Sequence, residues 1–253
     1  SIWTLLEEVA PEEIYNLAGP SSVAASFREP TSSMSNIFDP VALFLETLKS
    51  QGSSARYVNA ASTDCFGDHN GLLLSEDAAM KPISPYGIAK TATYWTTQSY
   101  RDAFGISASN AVLTNHESPL RGKDFVTQKI ISGLREISEG QRTILPLGNT
   151  DVGRDWLWAE DVARALQMIG SATTPSDYVV GSGDTNTLND FTELACEKFD
   201  LDPRAVISHS ANLTRPREIT TTRLDPSKIQ RELGWKCEVS FAELVSRLVE
   251  QEL

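Results

Sequence analysis

The stretch Ala55–Gly67, ARYVNAASTDCFG, reads as a buried strand that runs out into polar residues. At Ser84–Lys90 it is followed by SPYGIAK, which reads as the opening of a helix. Ser84 suits the cap, and Pro85 suits the first position, where its missing N–H costs nothing. Tyr86 and Lys90 then lie four residues apart on one helix face. Ser62 stands at the strand end and Tyr86 at the start of the helix, so both can reach one substrate oxygen. A free tyrosine has a pKa near ~10, and a lysine held close stabilises the phenolate and lowers that value. Such a set is a proton-transfer device for an alcohol or a ketone.

Outward from this pair, strands and helices alternate. EEIYNLAG (Glu12–Gly19) is a short β-rich run. DPVALFLETLKS (Asp39–Ser50) is a helix with Asp39 as cap and Pro40 at its first position. The Tyr86 helix continues to Gly105, ISASNAVLTN (Ile106–Asn115) is a strand, and FVTQKIISGLREISEG is a helix ending at Gly140. WAEDVARALQMIG (Trp158–Gly170) is a helix and DYVVGSG (Asp177–Gly183) a strand. TLND and SFAE are capping boxes that open helices at Leu188 and Phe241, and Asp225-Pro226 opens another. Trp95 and Trp156 read as core or packing residues. This order predicts an α/β fold with a mainly parallel sheet. Ligands of such sheets bind beyond the carboxyl ends of the strands. The residues there are Ala18-Gly19, Ser62-Thr63-Asp64 and Asn115-His116-Glu117.

Length and composition bound the rest. The 253 residues suffice for one large or two small domains, and 40% hydrophobic with 22% charged residues is ordinary for a globular protein. No apolar run approaches the ~20 residues of a membrane span. The start, SIWTLLEEVAPEE, has no basic region and carries four glutamates, which argues against a signal peptide. Cys65, Cys196 and Cys237 are odd in number and scattered; they fit a reduced, cytoplasmic setting and suggest neither a disulfide framework nor a metal site. The net charge of -12 disfavours nucleic acid as a partner. It permits an anionic small molecule, because a few local arginines can hold a phosphate.

AASTDCFG followed by SPYGIAK resembles the extended short-chain dehydrogenase/reductase family, with its Ser/Thr, Tyr and Lys set. IYNLAGPSSVAASF, NHESPLRGKDFVTQKI, LGNTDVGRDW and RPREI are similar, in the same order, to segments of its GDP-mannose 4,6-dehydratase branch. The resemblance implies an incomplete Rossmann-type parallel sheet flanked by helices, with a smaller C-terminal substrate-binding lobe. Residues 1–117 and 149–176 would form the NADP-binding part, and 118–148 and 177–253 the GDP-sugar lobe. It implies that Ser62 bonds the sugar O4, that Tyr86 takes its proton, and that Lys90 lowers the tyrosine pKa and holds the nicotinamide ribose. Leu17, Ala18, His116 and Arg121 would contact NADP. Asn115, Lys129, Arg154, Arg215 and Glu218 would hold GDP-mannose or a related nucleotide sugar. The reaction implied is oxidation at C4, removal of the C5 proton by a carboxylate at Asp64, loss of water from C6, and return of the hydride to C6. A cytoplasmic homo-oligomer, dimer or tetramer, is the expected form, with no nucleic-acid or membrane partner.

The chain departs from that pattern in three places. It has no glycine-rich turn of the G-x-x-G-x-x-G type, so about the first quarter of the family's cofactor domain is expected to lie outside it, and the chain alone is expected to bind NADP weakly or not at all. The branch has a glutamate where Asp64 stands, one methylene longer. It has arginines where Leu120 and Gln128 stand, which read as altered surface or oligomer contacts. Plainer readings also exist: Asp64 as a turn residue, His116 as a satisfied buried histidine, Arg154 paired with Asp151 or Asp155, and Lys129 as an ordinary helix lysine. Two other functions remain open. One is another nucleotide-sugar epimerase or reductase, which needs no base at Asp64. The other is a non-catalytic subunit or remnant.

Overall fold

The computed structural model describes residues 1–210, 213 and 217–250. In chain order its first elements are helix α1 (Ile2–Val9), strand β1 (Glu13–Asn16), helices α2 (Val23–Arg28) and α3 (Pro30–Gln51), and strand β2 (Arg56–Ser62). A 3-10 turn (Thr63–Cys65), β3 (Leu73–Leu74), α4 (Pro85–Phe104), β4 (Ala108–Leu113) and β5 (Asn115–Glu117) follow. The second half holds α5 (Val126–Ser138), β6 (Leu145–Leu147), β7 (Gly153–Arg154), β8 (Trp156–Trp158), α6 (Ala159–Ser171) and β9 (Tyr178–Val180). It continues with β10 (Asn186–Thr187), α7 (Leu188–Lys198), α8 (Pro203–Val206), β11 (Ile207–His209), β12 (Arg223–Leu224), α9 (Ser227–Leu233) and α10 (Phe241–Glu250).

Four strands form the main sheet in the order β1-β2-β4-β9, all parallel. β2 is buried from Tyr57 to Ser62 because helices cover both faces. Its side chains alternate: Val58 and Ala60 pack with α6 residues Val162, Ala165 and Ile169, whereas Tyr57 packs with Val41, Leu45 and Leu48 of α3. The sheet takes β9 from the segment assigned above to the C-terminal lobe. A second core gathers Trp156, Phe191, Leu244 and Leu248 beneath the C-terminal helices.

Most of the expected elements form where the sequence places them, with three exceptions. Asp39-Pro40 does not start a helix: α3 begins at Pro30 and carries Pro40 in its interior. Ile37, Val41, Leu45 and Leu48 form one buried stripe that continues through the proline. Burying each such side chain contributes about 1.5–3 kcal/mol, which outweighs one lost backbone hydrogen bond. Asn115–Glu117, expected at the carboxyl end of the preceding strand, forms a separate short strand beside β8. Trp95 is half exposed and stacks edge-on against Tyr94, so only Trp156 of that pair is a core residue. No described helix is long and apolar enough to cross a membrane.

A buried polar network pins β2, β4 and the residue before β9. Arg101 donates to both oxygens of Asp177, at 2.8 and 2.7 Å, and the Asn110 backbone and side chain add bonds of 3.0 and 2.9 Å. Asn59 donates to Asn110 at 2.8 Å. Burial opposes charge on Asp177, but Arg101 and Asn110 outweigh it and hold the carboxyl below its ordinary value. Their stabilisation is therefore complete above the ordinary aspartate range and is lost as the pH falls through the lower folded value. Asp177→Asn should cost about 3 kcal/mol at neutral pH, by urea denaturation. The gap from wild type should narrow below pH ~4.

Candidate functional site

The site lies at the carboxyl ends of the main strands. Ser62 ends β2, and its hydroxyl accepts the Asp64 N–H at 3.2 Å, which folds the chain into the 3-10 turn. The Ser62 Oγ also stands 3.4 Å from the Asp64 carboxylate. Opposite this turn, α4 opens as its sequence requires: Ser84 Oγ accepts from the Gly87 N–H at 3.0 Å, and Pro85 holds the first position. Gly87 allows the close approach, since a Cβ there would lie 2.7 Å from the Asp64 carbonyl oxygen. Tyr86 is brought in beside Ser62 and Asp64, with only 9% of its surface exposed. Its N–H donates to Ser26 Oγ of α2 at 3.2 Å, a contact across 60 residues that the sequence did not reveal.

The phenol does not behave as the Tyr86-Lys90 spacing suggests. Burial, then the Asp64 carboxylate, push its pKa well above the ordinary tyrosine value; Ser62 and Arg121 pull weakly the other way. The Lys90 ammonium donates to the Ala60 carbonyl at 2.6 Å and lies 5.9 Å from the Tyr86 ring centre. A main-chain carbonyl at the strand end therefore positions it. Burial also pushes the Lys90 pKa down.

His116 and Arg121 complete the cluster. His116 Nδ1 is 2.9 Å from the Thr114 carbonyl, so that nitrogen carries the proton and the other faces away. Burial, with Arg121 and Lys90 nearby, pushes the imidazole pKa down, against the pull of Thr114, and favours the neutral ring. Arg121 donates to the His116 carbonyl, pairs with Glu117 and stacks on Phe125, with its guanidinium carbon 4.0 Å from the ring centre.

The other expected residues are spread around this centre. Leu17 and Ala18 are exposed at the end of β1, where Gly19 turns the chain at φ +122°. Asn115 lies in β5, and Lys129 is exposed on α5. Arg154 donates to its neighbour's carbonyl, that of Gly153, at 2.8 Å, and its charge acts on Asp68. Asp155 points away to Ser182 and Gly183. Glu218 is half-buried, and Arg215 lies outside the described residues. Gln128 donates to the Ser118 carbonyl at 3.0 Å, whereas Leu120 is exposed. Sequence reading missed Asp68, which accepts from Thr220 Oγ1 at 3.0 Å and ties the loop after the 3-10 turn to the C-terminal part. It also missed a cavity of about 630 Å³ lined by Gly148–Asp151, Asn189, His209 and Ser210. Both depend on contacts between distant segments.

The donor set fits the ribose-nicotinamide end of a dinucleotide. Lys90 and His116 offer polar groups at one place, and Arg121 adds a guanidinium whose Nε faces the Glu117 carboxylate at 3.2 Å, an ion pair without hydrogen-bond geometry. No phosphate-cradling glycine turn occurs in the sequence to hold the other end. Among the described residues no cluster of metal-ligating side chains occurs.

Parallel sheet, strand-end serine and helix-opening tyrosine define the extended short-chain dehydrogenase/reductase class. The family model for GDP-mannose 4,6 dehydratase matches residues 1–248. GDP-mannose 4,6 dehydratase 1 of Arabidopsis thaliana is 35% identical over 252 residues, which cover 98% of this chain and 70% of the relative. GDP-mannose 4,6-dehydratase of Sinorhizobium fredii is 32% identical, with 98% and 76% covered. The chain belongs to the GDP-mannose 4,6-dehydratase family. In fold it is similar to RMD from Pseudomonas aeruginosa complexed with NADPH (TM-score 0.87, 23% identity, 95% of this chain and 81% of that one). It is similar also to DesIV, a dTDP-glucose 4,6-dehydratase from Streptomyces venezuelae (TM-score 0.87, 20% identity, 98% and 76% covered).

The contact at Gly87 can be tested directly. Gly87→Ala would press a methyl group into the turn that carries Asp64. It should lower stability by about 1–3 kcal/mol, seen as an earlier urea midpoint, although alanine is otherwise the better helix former.

Proposed function

We propose that this chain acts as a GDP-mannose 4,6-dehydratase, producing GDP-4-keto-6-deoxymannose. The observation that carries this reading is the convergence of Ser62, Asp64 and Tyr86, with the Ser62 hydroxyl 3.4 Å from the Asp64 carboxylate and both acting on one buried phenol. Membership of the family supports it. NADP, when bound, supplies the acceptor for the C4 hydride and its later return to C6.

The protein's own residues do the rest. Ser62 hydrogen-bonds the sugar O4 and orients it, and Tyr86 takes the O4 proton as oxidation proceeds. Lys90, fixed by the Ala60 carbonyl, keeps N–H groups for the cofactor ribose. Once C4 is a ketone, the C5 proton is acidic, and Asp64 removes it; that proton and the C6 hydroxyl leave as water, and C5 regains a proton as hydride returns to C6, which balances the proton Tyr86 took from O4. Leu17, Ala18, His116 and Arg121 contact the cofactor. Asn115, Lys129, Arg154, Arg215 and Glu218 hold the nucleotide sugar. The arginines offer paired donors suited to a diphosphate. The three cysteines are free thiols, which suits action in the cytoplasm.

A second reading, a nucleotide-sugar epimerase or reductase, is favoured by Asp64 itself. Its side chain is short, and it leans toward Ser62. A reach deficit of about 1 Å can cost on the order of 10²-fold in rate.

Asp64 separates the two readings. In the full-length protein, Asp64→Asn should still reduce bound NADP with GDP-mannose but stop before water is lost, and Asp64→Glu should keep or raise the dehydration rate. Deuterium exchange at C5 reports the proton step alone. Exchange at the wild-type rate in Asp64→Asn would remove Asp64 from the mechanism. C4 oxidation by the wild type with neither exchange nor elimination would favour the epimerase or reductase.

A further inference from the structure

Glu117 takes part in none of the steps above, yet it is a deeply buried carboxylate beside the site. It ends β5, and only 1% of its surface is exposed. One carboxylate oxygen lies 3.2 Å from Arg121 Nε and accepts a 2.6 Å hydrogen bond from Thr127 Oγ1 in the first turn of α5. Its partner in the neighbouring strand is Trp158, which carries no charge. Among the described residues, Arg121 is the one charged group acting on it.

This placement is costly for a purely structural role. A dry carboxylate facing a single cation barely recovers its lost hydration, and a well-packed uncharged pair is often as stable or more so. What the carboxylate adds is direction. Arg121 is held on three sides: by Glu117 at Nε, by the His116 carbonyl at Nη1, and by the Phe125 ring under its plane. The guanidinium so fixed lies close enough to influence both Tyr86 and His116.

We propose that Glu117 is a positioning residue that aims the Arg121 guanidinium at the dinucleotide bound between His116 and Lys90. This inference rests on the assignment of Arg121 to the cofactor. It carries a pH signature, because burial raises the Glu117 pKa to about 7, against the opposing effects of Arg121 and Thr127. Above that value the carboxylate is charged and grips Arg121; below it the grip is lost.

The test is NADP+ binding by the full-length protein, measured by calorimetry at pH ~8 and pH ~6, on either side of that pKa. Glu117→Gln keeps the shape and an acceptor for Thr127. At the higher pH it should bind NADP+ about tenfold more weakly than wild type, of the order of one charge-assisted hydrogen bond. At the lower pH the two proteins should converge. Tyr86, Lys90, His116 and Asp64 are common to both, so their own titrations cancel in the comparison. In an Arg121→Ala background, Glu117→Gln should have no further effect on binding. A merely structural carboxylate would leave a gap that does not depend on pH. A carboxylate that only repels the anionic ligand would give the opposite sign, with Glu117→Gln binding more tightly. Either result overturns the proposal. If Glu117→Gln does not fold, the pH profiles of wild type and Arg121→Ala decide: the proposal requires wild-type affinity to fall from pH ~8 to pH ~6 by more than that of Arg121→Ala. Wild-type protein that binds no NADP+ would overturn the cofactor assignment, and this inference with it. Wild-type binding that Glu117→Gln leaves unchanged would overturn this inference alone.

Discussion

Helix α4 starts against the turn that carries Asp64, and there is no room for a side chain between them. A Cβ on Gly87 would sit 2.7 Å from the Asp64 carbonyl and 3.2 Å from both Pro82 and Ser84. A helix start normally leaves several N–H groups unpaired. Here Pro85 has none, Tyr86 gives its own to Ser26, Gly87 to Ser84 Oγ and Ile88 to the Ser84 carbonyl. The first turn is thus fully bonded and tightly seated. Tyr86 is consequently held in place by the backbone on both sides of the contact. Gly67 does the same for the turn's exit: it adopts φ +71°, and a Cβ there would lie 1.9 Å from the Lys81 carbonyl.

That seating has an electrostatic cost. A phenol packed this closely is dry, and beside Asp64 it resists ionising. Lys90 cannot relieve the strain from its observed position, because the Ala60 carbonyl holds it. The resting site therefore keeps Tyr86 protonated. For the role as base proposed above, positive charge brought in beside the phenol would favour its ionisation.

Much of this was legible in the sequence, for physical reasons that differ by element. The Ser84 cap, Pro85 and Gly105 are local signals, and α4 spans the residues they mark. The Thr187–Asp190 capping box forms in full. Asp39-Pro40 misled because its signal is equally local, whereas the helix is decided by the buried stripe on α3 that runs past it. The three residues of β5 are too few for any periodicity to show. Within the site, the Ser62-Tyr86-Lys90 set could be read from residue type and spacing. The direction of the Lys90 ammonium could not, since spacing does not say which acceptor wins. Ser26 beneath Tyr86 and Asp68 beside Thr220 are joined across 60 and 152 residues, and nothing near either residue announces the pairing.

An acidic chain, with net charge -12, must still attract an anionic ligand if the function proposed here is right. The way its cations are held bears on that problem. Lys90 donates to the Ala60 carbonyl, Arg121 to that of His116, and Arg154 to that of Gly153. A main-chain carbonyl is a dipole: it can fix the direction of a cation without cancelling its charge, as a carboxylate would. Carboxylates are not absent, for the charge of Arg154 acts on Asp68 and Arg121 faces the fully buried Glu117. That carboxylate offsets part of the charge it orients, so its presence makes sense only if the precise placement of Arg121 matters more than its full charge.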